Sequence, residues 1–467
     1  MHSRECKILK TLPGVPPTAV RALIAMLLRK EEESNGDEES DWKGLESHVG
    51  ELKGDVKRWE EIMLQARAGL GFAKAGPGRM EEAMRWLCVL STNAFRITLP
   101  DNTPVGLCFS PTLARANHSC TPNAFIVFDS RTVSLPALRP IKKDEEIFIS
   151  YIDPTEDHAQ RQSVLKQRYF FTCKCMRCEG DEIAYEHFLR CQKEDLYEND
   201  SVARMDVLCP EQEVVKVAER RQATLKQNPA LTSIPPVTSS KTLALLKKGH
   251  TNQQDGTLAL LTALRSLSSY KDDGIFALPP YPEILHELYL SCIDTQTFTP
   301  ALITLLFLFL NSDIFIYPQA HHPVRVVRLY TITKLLKHIA SLTPTELLQD
   351  ISSIQTGTQS SSADLSLKED MAKTFQAIDL ITAFHVLAII VWSEASKSHG
   401  EGSGFVKEIE SEVRDVEEVQ SLRGKTGEVL RRWMGDAGDL EGRKEAERVC
   451  GGLRALAGLM GRILGWV

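Results

Sequence analysis

Apolar residues in the first ninety positions recur at helical spacing. In PPTAVRALIAMLLRK (16–30), and again over 59–73 and 80–90, they return every three or four residues, which predicts three amphipathic helices. After the first of these comes EEESNGDEESD (31–41), which is acidic, contains no apolar residue and cannot contribute to a core. We therefore predict a helical N-terminal part that is interrupted by a solvated linker.

From Phe95 to Ile152 the pattern changes to that of short strands, rich in β-branched and aromatic residues and interrupted by proline, aspartate, asparagine and glycine. The predicted strand segments are AFRITL, GLCF, AFIVF, TVSLPAL and EEIFISYI. HAQRQSVLKQRYFF (158–171) then indicates one short helix, and the chain beyond 181 is mostly helical in pattern. The fold class is thus predicted to be α+β, and paired helices between 283 and 342 suit an α-helical solenoid.

Composition narrows the class of protein. A chain of 467 residues exceeds a single hydrophobic core, and 43% hydrophobic with 25% charged residues is typical of globular domains. The net charge of -7 argues against a broad basic face for nucleic acid. The apolar run ALITLLFLFL (301–310) is too short to cross about 30 Å of hydrocarbon, so we expect a buried helix and no membrane partner.

The eleven cysteines indicate metal binding rather than disulfides. The first residues, MHSRECKILKTLPG, lack the apolar segment of a secretory leader, so we expect a reducing, intracellular environment in the nucleus or cytoplasm. FTCKCMRCEG places Cys173, Cys175 and Cys178 in a C-x-C-x2-C array. Structural zinc takes four ligands at about 2.3 Å from sulfur, and Cys120 in the polar loop NHSCTPN is a candidate fourth. From the residues alone, Cys120 is equally compatible with a zinc ligand and with an unrelated buried thiol.

Three motifs in this order carry a family resemblance. They are NHSCTPN (117–123), KKDEEIFISYID (142–153) and YFFTCKCMRC (169–178). Together they resemble the SET-domain protein-lysine methyltransferases, and most of all the SET-and-MYND subfamily. STNAFRI (91–97) and VGLCFSPTLARANHSC (105–120) are similar to the strand pair that leads into the family's Asn-His loop. The resemblance implies a SET β-clip core with a post-SET zinc site, followed by a mostly α-helical, TPR-like C-terminal domain.

The resemblance also implies roles for individual residues. Asn117 and His118 would contact S-adenosylmethionine, and Asn93 would help to hold it. Tyr151 would be the catalytic tyrosine and would also line the cofactor site, while Phe171 would pack on the cofactor and wall the lysine channel. Free lysine titrates near 10.4, so a narrow apolar channel would favour the neutral amine that attacks a methyl group. The tyrosine would then position that amine rather than act as an acid or base.

The implied zinc site uses four cysteines, Cys120, Cys173, Cys175 and Cys178. Two features of the chain depart from the family pattern. His2 and Cys6 resemble only the last two ligands of a MYND zinc finger, and the family's glycine-rich cofactor strand is not found. The glycine pair in AGLGFAKAG (68–76) lies within a helical pattern, and we do not interpret it as that strand. We expect the chain to be an N-terminally truncated form or the product of an incorrectly placed gene start.

Two functions follow from these motifs. The first is an S-adenosylmethionine-dependent protein-lysine N-methyltransferase acting on a protein or peptide lysine, histones included. The alternative is a catalytically weak or inactive SET-derived scaffold that binds a partner protein, because the cofactor strand is missing. A zinc-ribbon protein that binds nucleic acid is disfavoured, because no base-reading helix is evident.

The predicted domains are a MYND finger remnant with its following helix (1–30), an acidic linker (31–58), a helical SET insert (59–90), the SET core (91–155), a post-SET zinc segment (156–180) and a helical C-terminal domain (181–467).

Overall fold

A computed structural model describes most of the chain and divides it into two compact units. The described residues are 2–12, 14–30, 44–98, 104–193, 204–232, 253–352 and 361–464. The stretch 31–41, predicted to be a solvated linker, lies outside them. The first unit comprises Met1–Pro122, Ser130–Thr132 and Glu145–Cys178, and the second comprises Asn123–Asp129, Val133–Asp144 and Glu179–Val467.

The first unit is built on a small helical core. Its helices are α1 (His2–Leu9), α2 (Thr18–Lys30), α3 (Val49–Gly54), α4 (Val56–Ala73), α5 (Met80–Asn93), α6 (His158–Tyr169) and α7 (Met176–Glu179). Buried Leu23, Leu27, Ala66 and Trp86 pack α2, α4 and α5 together. These helices agree with the periodicity over 16–30, 59–73 and 80–90. A further helix, α3, lies within the segment assigned from sequence to the linker, because Leu52 buries against the same core.

Short strands bring distant parts of the chain together. They are β1 (Phe95–Thr98), β2 (Pro104–Cys108), β3 (Asn117–His118), β4 (Val127–Asp129), β5 (Thr132–Ser134) and β6 (Phe148–Ile149). β1 pairs with β2 and β4 with β5, whereas β3 pairs in parallel with β6. The parallel pair aligns Asn117 with Phe148 and His118 with Ile149. The residues just after each of these two short strands are therefore held side by side.

The second unit is almost entirely helical. Its helices are α8 (Ala184–Lys193), α9 (Glu211–Gln227), α10 (Gln253–Ser266), α11 (Ser268–Asp273), α12 (Tyr281–Asp294), α13 (Phe298–Leu308), α14 (Ile314–Ile316), α15 (Pro323–Ala340), α16 (Pro344–Ser352), α17 (Ser361–Ala377), α18 (Leu380–His399), α19 (Gly404–Ser421), α20 (Lys425–Gly435), α21 (Leu440–Gly458) and α22 (Met460–Ile463). A large helical C-terminal region is thus confirmed. Its apolar side chains form one continuous core.

Two helical stretches of the second unit, Phe298–Ile316 and Leu380–His399, are long and apolar enough to cross a membrane. Of their most apolar windows, 83% and 67% are buried inside the protein. The run over 301–310 contributes to the first of them, and its residues belong to the hydrophobic core. Such burial is what core helices of a helical domain show.

Part of the predicted strand region belongs to the second unit. The Phe125 ring meets the His322 ring edge-on at 5.1 Å, and Leu138 is buried. An Asp129 carboxylate oxygen accepts the Gly404 N–H at 3.2 Å, at the first turn of α19. A carboxylate at a helix N-terminus is favourable because the helix dipole is positive there. The segment that sequence assigned to a single core over 91–155 is therefore shared between the two units.

Candidate active site and metal centre

The parallel pairing of β3 with β6 builds a site from two separate motifs of the first unit. The Ser119 N–H donates to the Ile149 carbonyl at 3.0 Å and extends the pairing by one residue. Tyr151 follows two residues after β6, as Cys120 does after β3. The loop NHSC and the segment ISYID thus lie against each other, although the chain between them is long.

His118 joins these two segments through its ring. Its Nδ1 accepts the Tyr151 backbone N–H at 3.0 Å, and its Nε2 lies 3.4 Å from the Cys120 Sγ. Burial lowers the pKa of His118 to about 4. A neutral ring that accepts at Nδ1 carries its proton on Nε2, towards the sulfur. His118 therefore acts as a fixed link between the tyrosine backbone and the cysteines.

Tyr151 and Tyr169 form a hydrogen-bonded aromatic pair. The Tyr151 hydroxyl donates to the Ala116 carbonyl at 2.7 Å, and the Tyr169 hydroxyl donates to the Tyr151 carbonyl at 3.1 Å. Their ring centroids are 5.0 Å apart. Burial, with smaller effects from Tyr169 and Glu146, raises the pKa of Tyr151 to about 12. The hydroxyl therefore stays protonated at neutral pH, as a positioning group requires.

Phe171 completes an aromatic cluster around His118. Its ring lies 5.9 Å from His118 and 6.4 Å from Tyr151, nearly perpendicular to the latter. All three aromatic rings of the cluster, Tyr151, Tyr169 and Phe171, are half-buried. Aromatic faces carry negative charge density, so such a cluster favours a cationic group and excludes water from it.

Asn117 and Asn93 are held in two different places. The Asn117 amide donates to the Glu146 carboxylate at 2.6 Å, which fixes the amide on the exposed side of β3. Asn93 ends α5, and its amide donates to the Glu46 and Val89 carbonyls, both at 2.9 Å. Its hydrogen bonds therefore connect α5 to the chain before α3, rather than to the loop of Asn117.

The four cysteines named from sequence converge. The Sγ atoms of Cys120, Cys173, Cys175 and Cys178 all lie within 4.8 Å of one another. The Cys120 and Cys178 sulfurs are 3.6 Å apart. Tetrahedral zinc with sulfur ligands at about 2.3 Å requires sulfur–sulfur separations of about 3.8 Å. The cluster has the ligand type, number and spacing for zinc.

Helix α6 and the chain after it shape the cluster. Gln162 on α6 donates to the Cys173 carbonyl at 2.9 Å and accepts the Cys173 N–H at 3.0 Å. A hydrogen bond with Cys120 holds the pKa of Cys175 well below its usual range, and the same interaction raises the pKa of Cys120. One sulfur of the group is therefore a thiolate at neutral pH, which is the form that binds metals.

Comparison with known proteins places the two strands of this site, β3 and β6, within a SET-domain match. The SET domain family model matches residues 27–152, and proteins of the SET-and-MYND type match the chain. The chain therefore carries a SET-domain match over residues 27–152 and is similar to proteins of the SET-and-MYND type. The resemblance of the NHSC and SYID motifs is thereby confirmed, and these are the two motifs that β3 and β6 bring together.

Three relatives indicate the extent of this similarity. The chain is 34% identical to "SET domain and MYND-type zinc finger protein 6" of Schizosaccharomyces pombe, over 40% of this chain and 37% of the relative. It is 30% identical to "Histone-lysine N-methyltransferase SMYD3" of Mus musculus (39% and 44%) and 28% identical to "N-lysine methyltransferase SMYD2" of Homo sapiens (38% and 42%). The chain thus spans about two fifths of the length of the relatives it matches.

The geometry adds three residues to the site that were not predicted from the sequence. Tyr169 bonds the backbone of Tyr151, Glu146 fixes Asn117, and Arg161 lies against the cysteine cluster. Tyr169 and Glu146 stand inside the quoted family motifs, so their place in the motif is a usable signal. Arg161 looks like an ordinary surface residue of an amphipathic helix, and only its 3% exposure distinguishes it. Cys6 is exposed on α1, and the His2 side chain lies outside the described part of the chain.

Proposed function

We propose that this chain is a protein-lysine N-methyltransferase that uses S-adenosylmethionine. The observation that carries the proposal is the link from His118 to Tyr151, formed where two motifs of a SET domain meet. Two of the relatives are lysine methyltransferases by name, and this similarity supports the same reaction class. The proposed substrate is a lysine side chain of a protein or peptide, histones included, in the nucleus or cytoplasm.

The residues present fit S-adenosylmethionine by their chemistry. Tyr151 and Phe171 present aromatic faces, which suit a sulfonium cation. When bound, the cofactor supplies a methyl group on a positively charged sulfur. We assign cofactor contacts to Asn93, Asn117, His118, Tyr151 and Phe171.

Tyr151 is the proposed catalytic residue, through positioning. Its hydroxyl is held on the Ala116 carbonyl, and its backbone on His118. Because both the hydroxyl and the backbone of Tyr151 are fixed, the hydroxyl can hold a neutral lysine nitrogen in one orientation. Desolvation of the bound lysine, rather than the aromatic faces, would lower the cost of losing its proton, because water no longer stabilises the charged amine.

Zn²⁺ bound by the four cysteines would fix the end of this site. It would join Cys120, next to His118, to the segment that carries Phe171. We expect one zinc ion per chain after purification, measured by elemental analysis. The proposed TPR-like arrangement of the C-terminal helices would offer a surface for a protein partner.

The test uses the full chain, calorimetry and isotope-labelled cofactor. We expect micromolar binding of S-adenosylmethionine and label on lysine residues of a histone and cell-protein mixture. Tyr151→Phe should lower kcat by about 100-fold, because a small loss of alignment is costly, while cofactor affinity changes little. Gly71→Ala on α4, where the added Cβ would meet open space, is the matched control.

The alternative, an inactive scaffold, predicts a different result. In that case titration with S-adenosylmethionine gives no heat, and no lysine is labelled. Equal activity of the parent and Tyr151→Phe would remove the catalytic role of Tyr151 and leave cofactor binding intact.

A further inference from the structure

Arg161 is a buried cation with no carboxylate partner among the residues that the structure describes. It lies on the first turn of α6 and is 3% exposed. Its Nη1 donates to the Glu156 carbonyl at 2.6 Å, and its Nη2 lies 3.9 Å from the Cys178 Sγ. Within the described part of the chain, its Nε has no hydrogen-bond partner and it forms no ion pair. Such a charge is costly to bury unless an anion compensates it.

The cysteine cluster is the anion within its reach. Four thiolates around one Zn²⁺ carry a net charge of -2, and a guanidinium against one sulfur reduces it to -1. The two unfavourable charges, the buried guanidinium and the thiolate cluster, thus offset each other.

We propose that Arg161 is the positioning counter-cation of the four-cysteine zinc site and ties that site to the loop behind Tyr151. This inference rests on the proposed zinc site. Two arginines bond this loop. Arg161 donates to the Glu156 carbonyl and Arg177 donates to the Pro154 carbonyl, each at 2.6 Å. Both carbonyls lie in the loop that follows Tyr151, so the two arginines hold this loop next to the cysteine cluster.

The test compares neutral and charged replacements in the full chain. Arg161→Gln removes the charge and keeps a hydrogen-bond donor, while Arg161→Lys keeps the charge. Zn²⁺ affinity is measured by competition with a chromophoric chelator. We expect Arg161→Gln to weaken it about 10–100-fold, as other outer-shell changes do, and Arg161→Lys to retain most of it.

A spectroscopic measurement separates charge from packing. In Co²⁺-substituted protein, a cation beside sulfur stabilises the sulfur electrons. Loss of the cation should therefore move the sulfur-to-cobalt charge-transfer band to lower energy in Arg161→Gln but not in Arg161→Lys. Gln162→Met is the matched control, because it removes two neutral hydrogen bonds to Cys173 from the adjacent helix position.

The outcomes are distinct. Parent-like zinc affinity and band position in Arg161→Gln would overturn the role of Arg161 while leaving the zinc site standing. Equal weakening in Arg161→Gln and Gln162→Met without a band shift would also overturn it, in favour of packing. If Arg161→Gln does not fold, a shifted band in Arg161→Lys would contradict the proposal. A parent chain that binds neither metal tightly would overturn the zinc site itself.

Discussion

At the scale of single residues, Tyr169 contacts the proposed catalytic residue Tyr151 through both a hydrogen bond and a ring contact. Its hydroxyl bonds the Tyr151 carbonyl, and its ring packs against the Tyr151 ring. Tyr169→Phe keeps the ring and loses the bond. We expect the free energy of unfolding to fall by about 0.5–1.5 kcal/mol, the usual worth of one such bond, and kcat to fall less than in Tyr151→Phe.

Thermal melts and steady-state methylation assays check this prediction. Phe171→Leu is the comparison variant, because it shortens the aromatic cluster without touching the bond to Tyr151. A larger loss of kcat in Tyr169→Phe than in Tyr151→Phe would reverse the assignment of the catalytic role between the two tyrosines.

Sequence and structure differ at residue scale for a physical reason. The spacing of Cys173, Cys175 and Cys178 in one short segment indicated a metal without further information, since their proximity is set by the chain itself. Cys120 needed the family resemblance, because its proximity depends on the β3–β6 pairing. Arg161 could not be found in this way, since burial of a charged residue is a property of the fold.

At the scale of elements, the contact between α2 and α4 makes a sharp test with two glycines. A Cβ added at Gly69 would lie 2.5 Å from Leu23 Cδ2, and Leu23 is fully buried. Gly69→Ala should therefore lower the free energy of unfolding by about 1–3 kcal/mol through overpacking. At Gly71 nothing lies within 4 Å, so Gly71→Ala should raise it by up to about 1 kcal/mol, through helix propensity.

Urea denaturation followed by circular dichroism measures both variants. Since the two glycines stand two positions apart on α4, helix propensity acts on them alike and only the packing differs. Equal effects of the two substitutions would mean that α2 does not pack against α4 as described. Gly69 and Gly71 both lie inside a helix, in agreement with the helical interpretation of AGLGFAKAG rather than a glycine-rich cofactor strand.

Helices were better predicted than strands, and the reason is local. Periodicity within one segment defines α2, α4 and α5, whose bounds differ from the predicted ones by a few residues. A strand depends on its partner, so AFIVF retains only β4 and EEIFISYI only β6. The strand β3 was not predicted at all, because its two residues are extended only through pairing with β6.

At the scale of the whole molecule, arginines connect distant helix ends of the second unit. Arg204 donates to the Met434 carbonyl at 2.6 Å, Arg265 to the Ile463 carbonyl at 3.0 Å, and Arg454 to the Val207 carbonyl at 2.7 Å. The last carbonyls of a helix have no partner within the helix, and a cation there also suits the dipole. These bonds fix the order of helices that look alike in sequence.

Buried histidines of the second unit make its stability depend on pH. Burial lowers the pKa of each, to about 3 at His322 and to about 4 at His286, His385 and His399. The unfolded chain gains protons at these residues below about pH 6.5, whereas the folded chain does not until about pH 4. Their contribution is therefore fully present above pH 6.5 and is lost as the pH falls towards 4, by up to about 1.4 kcal/mol per pH unit for each histidine.

His385 and His322 test this dependence, because replacing them should have different effects on stability at neutral pH. His385 is fully buried, and neither ring nitrogen has a hydrogen-bond partner in the described residues, so His385→Leu should not lower stability at pH 7.5. His322 accepts the Val324 N–H at the start of α15, so His322→Leu should cost about 1 kcal/mol there. In both variants, the slope of the free energy of unfolding against pH between 6.5 and 4.5 should be smaller than in the parent by the contribution of one proton. Urea denaturation at each pH measures this slope. A slope equal to that of the parent in both would mean that these rings are not neutral in the folded protein.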